Sequence, residues 1–184
     1  MKLDGSDTQK NLWAAFNGES AASMKYRLYA EVAKKSGYMQ IAAIFEETAD
    51  NEMQHARMWL YALSEIAPAA SAQSVTDNLK KAAAGENMEW TKMYREFSET
   101  AEKEGFKTLA KDFLTVGSVE EAHEKRYNTL IDNLAKGLVF HRPDGQTVWQ
   151  CRNCGYLHIG AEAPEICPAC KHPREYFQLF VPNY

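Results

Sequence analysis

The stretch EETADNEMQHA, residues 46–56, decides the fold. Within it Glu52 and His55 stand three residues apart, a spacing that puts a carboxylate and an imidazole on one face of a helix, within reach of one metal pair. A single Glu-x-x-His is usually a solvated helical face. A second copy reverses that weight: VGSVEEAHEKRY, residues 116–127, repeats the pattern as Glu120 and His123.

Outward from these two stretches, apolar residues return at spacings of three and four from about Ser6 to Leu134 with few breakers. Gly37, Pro68 and Gly105 punctuate the run and predict four helices. Two of those turns are tight, so the first and second helices form one antiparallel hairpin and the third and fourth another, with a longer connection between. Heptad seams then read Leu12, Phe16, Glu19, Ser23, Tyr26 on the first helix and Ile41, Phe45, Thr48, Glu52, His55, Trp59 on the second. The third gives Leu79, Ala82, Glu86, Glu89, Met93, and the fourth Leu109, Phe113, Val116, Glu120, His123, Tyr127, Leu130, Leu134.

Carboxylates thus occupy core positions on all four helices. Glu19 precedes Gly37 by eighteen residues and Glu52 follows it by fifteen, while Glu86 precedes Gly105 by nineteen and Glu120 follows it by fifteen. The glutamates of each hairpin therefore sit at nearly the same height. An unpaired ionised carboxylate inside a bundle costs several kcal/mol even after relaxation, and no lysine or arginine shares these seams. A pair of cations meets the need, and an oxygen-rich ligand set supplemented by imidazole suits iron or manganese. Ferritin-like dinuclear carboxylate bundles carry this arrangement of a lone Glu and a Glu-x-x-His in each half. Tyr26 and Tyr94 are seam aromatics, either plain core or supporting groups beside the metals.

The chain has 184 residues, enough for one core plus a small satellite domain, and a net charge of -4 with both signs interspersed. That charge argues against nucleic-acid binding. The polar start MKLDGSDTQK has no apolar signal core and no stretch is long enough to span a membrane, so a cytoplasmic protein is expected. After Lys136 the composition shifts: GLVFHRPDGQTVWQ holds glycines, a proline, valines and aromatics without helical period. The predicted organisation is a four-helix bundle over 1–136, a linker over 137–146 and a small strand-and-turn domain over 147–184.

All four cysteines fall in the last segment, as Cys151-x-x-Cys154 and Cys167-x-x-Cys170. In a cytoplasmic chain such clustering points to a tetrahedral metal site rather than to disulfides. Spacing alone leaves iron and a structural zinc ribbon open. His141, His158 and His172 lie outside the bundle seams and read as surface or turn residues.

The stretches AFNGES, EETADNEMQHA, AAAGENMEW, VGSVEEAHEKRY, CRNCGY and CPAC, in this order, resemble the rubrerythrins across essentially the whole chain. The resemblance implies a mainly α, ferritin-like bundle followed by a rubredoxin-like domain. It implies a di-iron centre with Glu19, Glu52, Glu86 and Glu120 as ligands, Glu52 and Glu120 bridging, and His123 on the second iron. On the first iron, Glu89 and His55 would exchange with redox state, which makes them the distinctive catalytic pair. Cys151, Cys154, Cys167 and Cys170 would hold one further iron that passes single electrons. The implied activity is reduction of hydrogen peroxide to water in oxidative-stress protection, with electrons drawn from NAD(P)H through an external reductase or rubredoxin. No dinucleotide fingerprint is present in the chain itself. A homodimer is implied as well, without membrane or nucleic-acid partners.

Two other classes compete. A ferritin-like ferroxidase or iron store would draw electrons from iron itself and has no use for a dedicated relay. A bundle with a zinc ribbon acting as a binding module would be colourless.

Overall fold

The computed structural model describes residues 3–64 and 72–182, and the chain divides into two compact units, Met1–Ser74 and Val75–Tyr184. In the first unit α1 (Asp7–Lys35) and α2 (Met39–Ala62) form a hairpin. The start of α1 is fixed reciprocally: the Gln9 N–H donates to Ser6 Oγ at 3.1 Å, and the Gly5 N–H donates to Gln9 Oε1 at 2.8 Å. At its end Gly37 takes φ +83°, and the Tyr38 N–H returns to the Ala33 carbonyl at 2.9 Å. That left-handed turn favours glycine and reverses the chain within a few residues.

The helices of this hairpin touch through small side chains. Ala30, Ala33, Ala42, Ala49 and Ala56 are buried, and the buried Ser23 hydroxyl donates to the Ala49 carbonyl at 2.8 Å. This line runs one position beside the predicted seam on α2, where Ile41 stays exposed and Phe45 and Trp59 are only partly covered. Large apolar residues mark the face, but close approach of two backbones selects alanine.

Beginning at the close of the first unit and continuing in the second, α3 (Ala72–Met88), a π-helical turn (Glu89–Met93) and α4 (Tyr94–Lys103) run on as one rod, followed by α5 (Lys107–Ala135). The expected four helices are thus present, the third interrupted by the π-turn. Pro68, expected to mark the middle connection, lies outside the described residues. Gly105 takes φ +87° and the Phe106 N–H reaches the Ala101 carbonyl at 2.8 Å, the same closure as at Gly37.

The two hairpins repeat each other at an offset of sixty-eight residues. Tyr26 and Phe45 have ring centroids 6.2 Å apart at 31°, and Tyr94 and Phe113 reproduce both values. Tyr29 lies 5.7 Å from Phe45 and Phe97 lies 5.6 Å from Phe113. One register difference breaks the match: seven residues separate Glu19 from Tyr26, whereas eight separate Glu86 from Tyr94. The π-turn absorbs that extra residue, with the Tyr94 N–H donating to the carbonyl of Glu89 five residues back. Glu86 and Tyr94 thereby keep one face of the rod in spite of the insertion.

The C-terminal module is a three-stranded antiparallel sheet of β1 (Val148–Cys151), β2 (Leu157–Ile159) and β3 (Phe177–Leu179), in the order β2-β1-β3. Its core is Trp149, Cys151, Ala163, Cys167 and Phe177, and the Trp149 indole N–H donates to the Gly160 carbonyl at 3.0 Å. Among the described residues no helix is long and apolar enough to cross a membrane.

Candidate metal centres

Among the described residues three groups of side chains are close enough to share a cation. In the first, Glu19 from α1 joins Glu52 and His55 from α2, with ligand atoms within 4.8 Å of one another. His55 Nδ1 lies 2.8 Å from Glu52 Oε2, as the i,i+3 spacing requires.

The second group repeats the first. Glu86 from α3 meets Glu120 and His123 from α5, again within 4.8 Å, and His123 Nδ1 lies 2.8 Å from Glu120 Oε2 and 3.6 Å from Glu86 Oε1. Burial raises the pKa of Glu86 above its ordinary 4.5; the negative charge of Glu120 and a hydrogen bond shared with it add to the rise, His123 opposes it, and Glu89 contributes a further increment. A carboxylate crowded in this way by its neighbours' negative charge belongs to a site poised to take up positive charge.

Glu89 stands outside this tight group. It opens the π-turn and is partly buried, near enough for its charge to act on both Glu86 and Tyr94. The Tyr94 phenol is pushed up from its ordinary 10.0 by burial first and then by the charges of Glu89, Glu120 and Glu86. Tyr94 therefore stays protonated within reach of the charges of three carboxylates. The seam pattern alone left its role open between core and supporting group, because an aromatic at helical spacing reads the same either way.

The third group is Cys151, Cys154, Cys167 and Cys170, all free thiols. Each Cys-x-x-Cys folds into the same knuckle. The Gly155 N–H donates to the Cys151 carbonyl at 2.9 Å and the Lys171 N–H to the Cys167 carbonyl at 3.0 Å, both with positive φ at the donor residue. Sulfurs lie 3.7 Å apart for Cys151 and Cys170 and 3.6 Å for Cys154 and Cys167. A disulfide needs about 2.05 Å, whereas a tetrahedron with metal–sulfur bonds of about 2.3 Å has an edge of about 3.8 Å. The thiols are thus set for one tetrahedral ion.

Their acidities diverge in the metal-free cluster. At Cys154 the backbone hydrogen bond from Tyr156 favours the thiolate, but the neighbouring thiols, Cys170 foremost, together with burial outweigh it and push the group up to about 12. At Cys170 the backbone hydrogen bond from His172 leads, and the group is lowered to about 5. Backbone donors aimed at sulfur suit a site that holds thiolates.

The side chains of the other histidines belong to none of the three groups, although the His172 backbone serves Cys170. His141 pairs with Glu162 at 3.7 Å, His158 belongs to β2, and His172 packs edge-on against Tyr176 at 4.4 Å. One residue escaped the sequence reading: Glu124, next to His123, receives the Trp90 indole N–H at 2.5 Å.

Comparison with known proteins supplies the context. The family described as Rubrerythrin matches residues 10–131 and 77–148, and that described as Rubrerythrin, rubredoxin-like domain matches 149–178. The chain is 47% identical to the rubrerythrin of Porphyromonas gingivalis, over 99% of this chain and 94% of that one. It is 45% identical to rubrerythrin-1 of Clostridium acetobutylicum, covering 99% and 98% of the two chains. With the rubrerythrin of Nitratidesulfovibrio vulgaris the identity is 44%, over 99% and 98%.

Proposed function

The chain belongs to the rubrerythrin family, and from that premise we propose that it is a non-haem di-iron peroxidase that reduces hydrogen peroxide to water. Membership makes it an iron-binding oxidoreductase with a dinuclear site and a rubredoxin-like module, an assembly consistent with protection against oxidative stress. In the proposal Glu19, Glu52, His55, Glu86, Glu89, Glu120 and His123 hold the iron pair, and Cys151, Cys154, Cys167 and Cys170 hold the third iron. Residues 1–136 form the di-iron domain, 137–146 a linker and 147–184 the rubredoxin-like domain.

The observation that carries this reading is the repeated triad: a Glu and a Glu-x-x-His within 4.8 Å in each hairpin, in a chain that also carries a four-thiol tetrahedron. When bound, the iron pair supplies Lewis acidity and two electrons, and the overall change is H2O2 + 2 e− + 2 H+ → 2 H2O. The carboxylates hold the cations and offset their charge. Glu89 and His55, one on each hairpin, are assigned as the pair that exchanges with redox state. Tyr94 keeps its proton near the charges of Glu86, Glu89 and Glu120. The four cysteines would hold one iron able to supply single electrons, so two deliveries would be needed per turnover. An external NAD(P)H-linked reductase or rubredoxin supplies them, and the working form is a cytoplasmic homodimer. Free thiols fit a reducing compartment.

The test is anaerobic reduction of iron-loaded protein, then one equivalent of peroxide, with the absorption of both iron types followed. Oxidation of the di-iron site first and of the thiolate iron afterwards is expected. Full-length Cys154→Ala should still consume about one equivalent per di-iron site, as two-electron chemistry requires, and then stall with NADH and a reductase. Reduced protein that leaves peroxide intact, or Cys154→Ala that keeps full steady-state turnover, would sink the proposal.

A further inference from the structure

Among the described residues the π-turn is the one irregularity in the repeated hairpins, and its side-chain contacts show what braces it. A π-turn is wider and less favourable than the α-turn it replaces, so it persists where its surroundings hold it. Here the brace comes from α5. Glu124, partly buried and one residue beyond His123, accepts from Trp90 Nε1 at 2.5 Å and from Asn87 Nδ2 at 3.2 Å on both carboxylate oxygens. Asn128 Nδ2 approaches the same carboxylate at 3.5 Å from the next turn of α5. The Trp90 carbonyl in turn accepts from Arg95 Nε at 3.1 Å, and the Arg95 guanidinium lies over the Trp90 ring, 5.6 Å from its centroid.

Position gives this brace a consequence. Asn87 and Trp90 form one i,i+3 stripe of the rod, and Glu86 and Glu89 form the stripe beside it. Fixing the first stripe fixes the rotation of the second. The other hairpin acts as an internal control: at the offset of sixty-eight residues Glu124 corresponds to Ala56, a buried alanine with no polar side-chain atom, and the rod there is regular α-helix from Glu19 to Tyr26. The carboxylate occurs only where the extra residue does.

We propose that Glu124 is a positioning residue: through Trp90 and Asn87 it clamps the π-turn to α5 and so sets where Glu89 presents its carboxylate. The effect on turnover rests on the role of Glu89 proposed above, whereas the clamp itself does not.

The experiment has two arms. In metal-free, full-length protein, amide hydrogen exchange is compared for Trp90→Phe, which keeps the ring and loses only the donor, and Glu124→Gln, which keeps an acceptor oxygen. Loss of a hydrogen bond to a charged group should speed exchange across residues 89–95 by about tenfold or more. Amides of α1 and α2 should not change, and Glu124→Gln should show a smaller effect. Asn87→Ala serves as the second variant where Trp90→Phe does not fold. Unchanged exchange at 89–95, or equal acceleration in both hairpins, overturns the clamp.

The second arm is a double-mutant cycle on steady-state turnover with Glu124→Ala and Glu89→Ala. Glu124→Ala should lower kcat in the parent protein and add nothing in the Glu89→Ala background. The same fractional loss in both backgrounds overturns action through Glu89, since a purely structural role would persist there. If Glu89→Ala alone keeps full turnover, the assignment of Glu89 has failed, and the exchange arm still supports or overturns the clamp.

Discussion

The hairpin of α1 and α2 and the hairpin of α3 to α5 share an aromatic trio, a glycine closure and a Glu/Glu-x-x-His triad, yet differ by one residue. In the first, Glu19 and Tyr26 are two regular turns apart. In the second, a π-turn that opens at Glu89 takes up the surplus residue and is tied to α5 through Glu124. Repetition accounts for the two matching triads, and a single insertion accounts for what differs between the hairpins. Inserting one residue normally rotates all that follows by about 100° on a helix of 3.6 residues per turn. The wider turn confines that rotation locally, so Glu86 and Tyr94 on its two sides keep their face.

If this asymmetry is where the chemistry resides, the largest effect comes from Glu89. Glu89→Ala should leave the helices folded and some metal bound, and lower peroxide turnover by roughly two orders of magnitude, the scale of losing a group that acts on the reacting centre. A polar residue in the regular hairpin gives the contrast. Ser23→Ala removes the hydroxyl that donates to the Ala49 carbonyl and should cost about 1 kcal/mol of stability with little change in turnover. Steady-state kinetics with peroxide and thermal melts of both variants check the pair; equal turnover in Glu89→Ala and parent would make Glu89 an ordinary partly buried helix residue.

A smaller effect should appear in the metal-free protein as a function of pH. Burial and the charge of Glu120 raise the pKa of Glu86, so the fold favours its protonated form. Its contribution is complete below the ordinary 4.5 and is lost as pH rises through the raised value. The difference in melting temperature between parent and Glu86→Gln should therefore be small at low pH and grow in favour of the variant as pH climbs above 4.5. Added metal should reverse the order, because in the proposed site the variant lacks one ligand; removing even a supporting group typically costs about 10–100-fold in affinity. A difference independent of pH would show that the carboxylates do not repel one another in the empty site.

Much of this was legible in the sequence because spacing alone fixes it. Glu52 with His55, Glu120 with His123 and the two Cys-x-x-Cys pairs must meet whatever surrounds them, and they do. The π-turn was not legible, since a helix with one extra residue keeps an apolar rhythm and Glu89 passes for the next turn after Glu86. Its trace was the count of nineteen residues from Glu86 to Gly105 against eighteen from Glu19 to Gly37. The alanine line was missed for a different reason: seams were traced through large apolar residues, while helices approach where side chains are smallest. Nor could Glu124 be recognised, because a glutamate next to His123 looks like solvated helix until Trp90 is seen to reach it.

The smallest effect tests how far the two hairpins are interchangeable in packing. Ala49 and Gly117 occupy matching positions, and both are buried. A methyl group added at Gly117 would lie 3.4 Å from Tyr94 Cβ and 3.9 Å from two of its ring carbons, at the edge of ordinary contact. Tyr94 directly follows the π-turn, so any push there would be felt by the segment that carries Glu89. Against that stands the gain in helix propensity, about 1 kcal/mol for alanine over glycine. Since the contact asks at most a few tenths of an ångström from Tyr94, propensity should win. Gly117→Ala is expected to raise the melting temperature by about 2 °C, as under 1 kcal/mol does in a chain of this size, and to leave turnover within about twofold. A lower melting temperature together with reduced turnover would mean that the π-turn draws Tyr94 against α5 more tightly than Tyr26 sits on α2, extending the asymmetry from the ligands into the core.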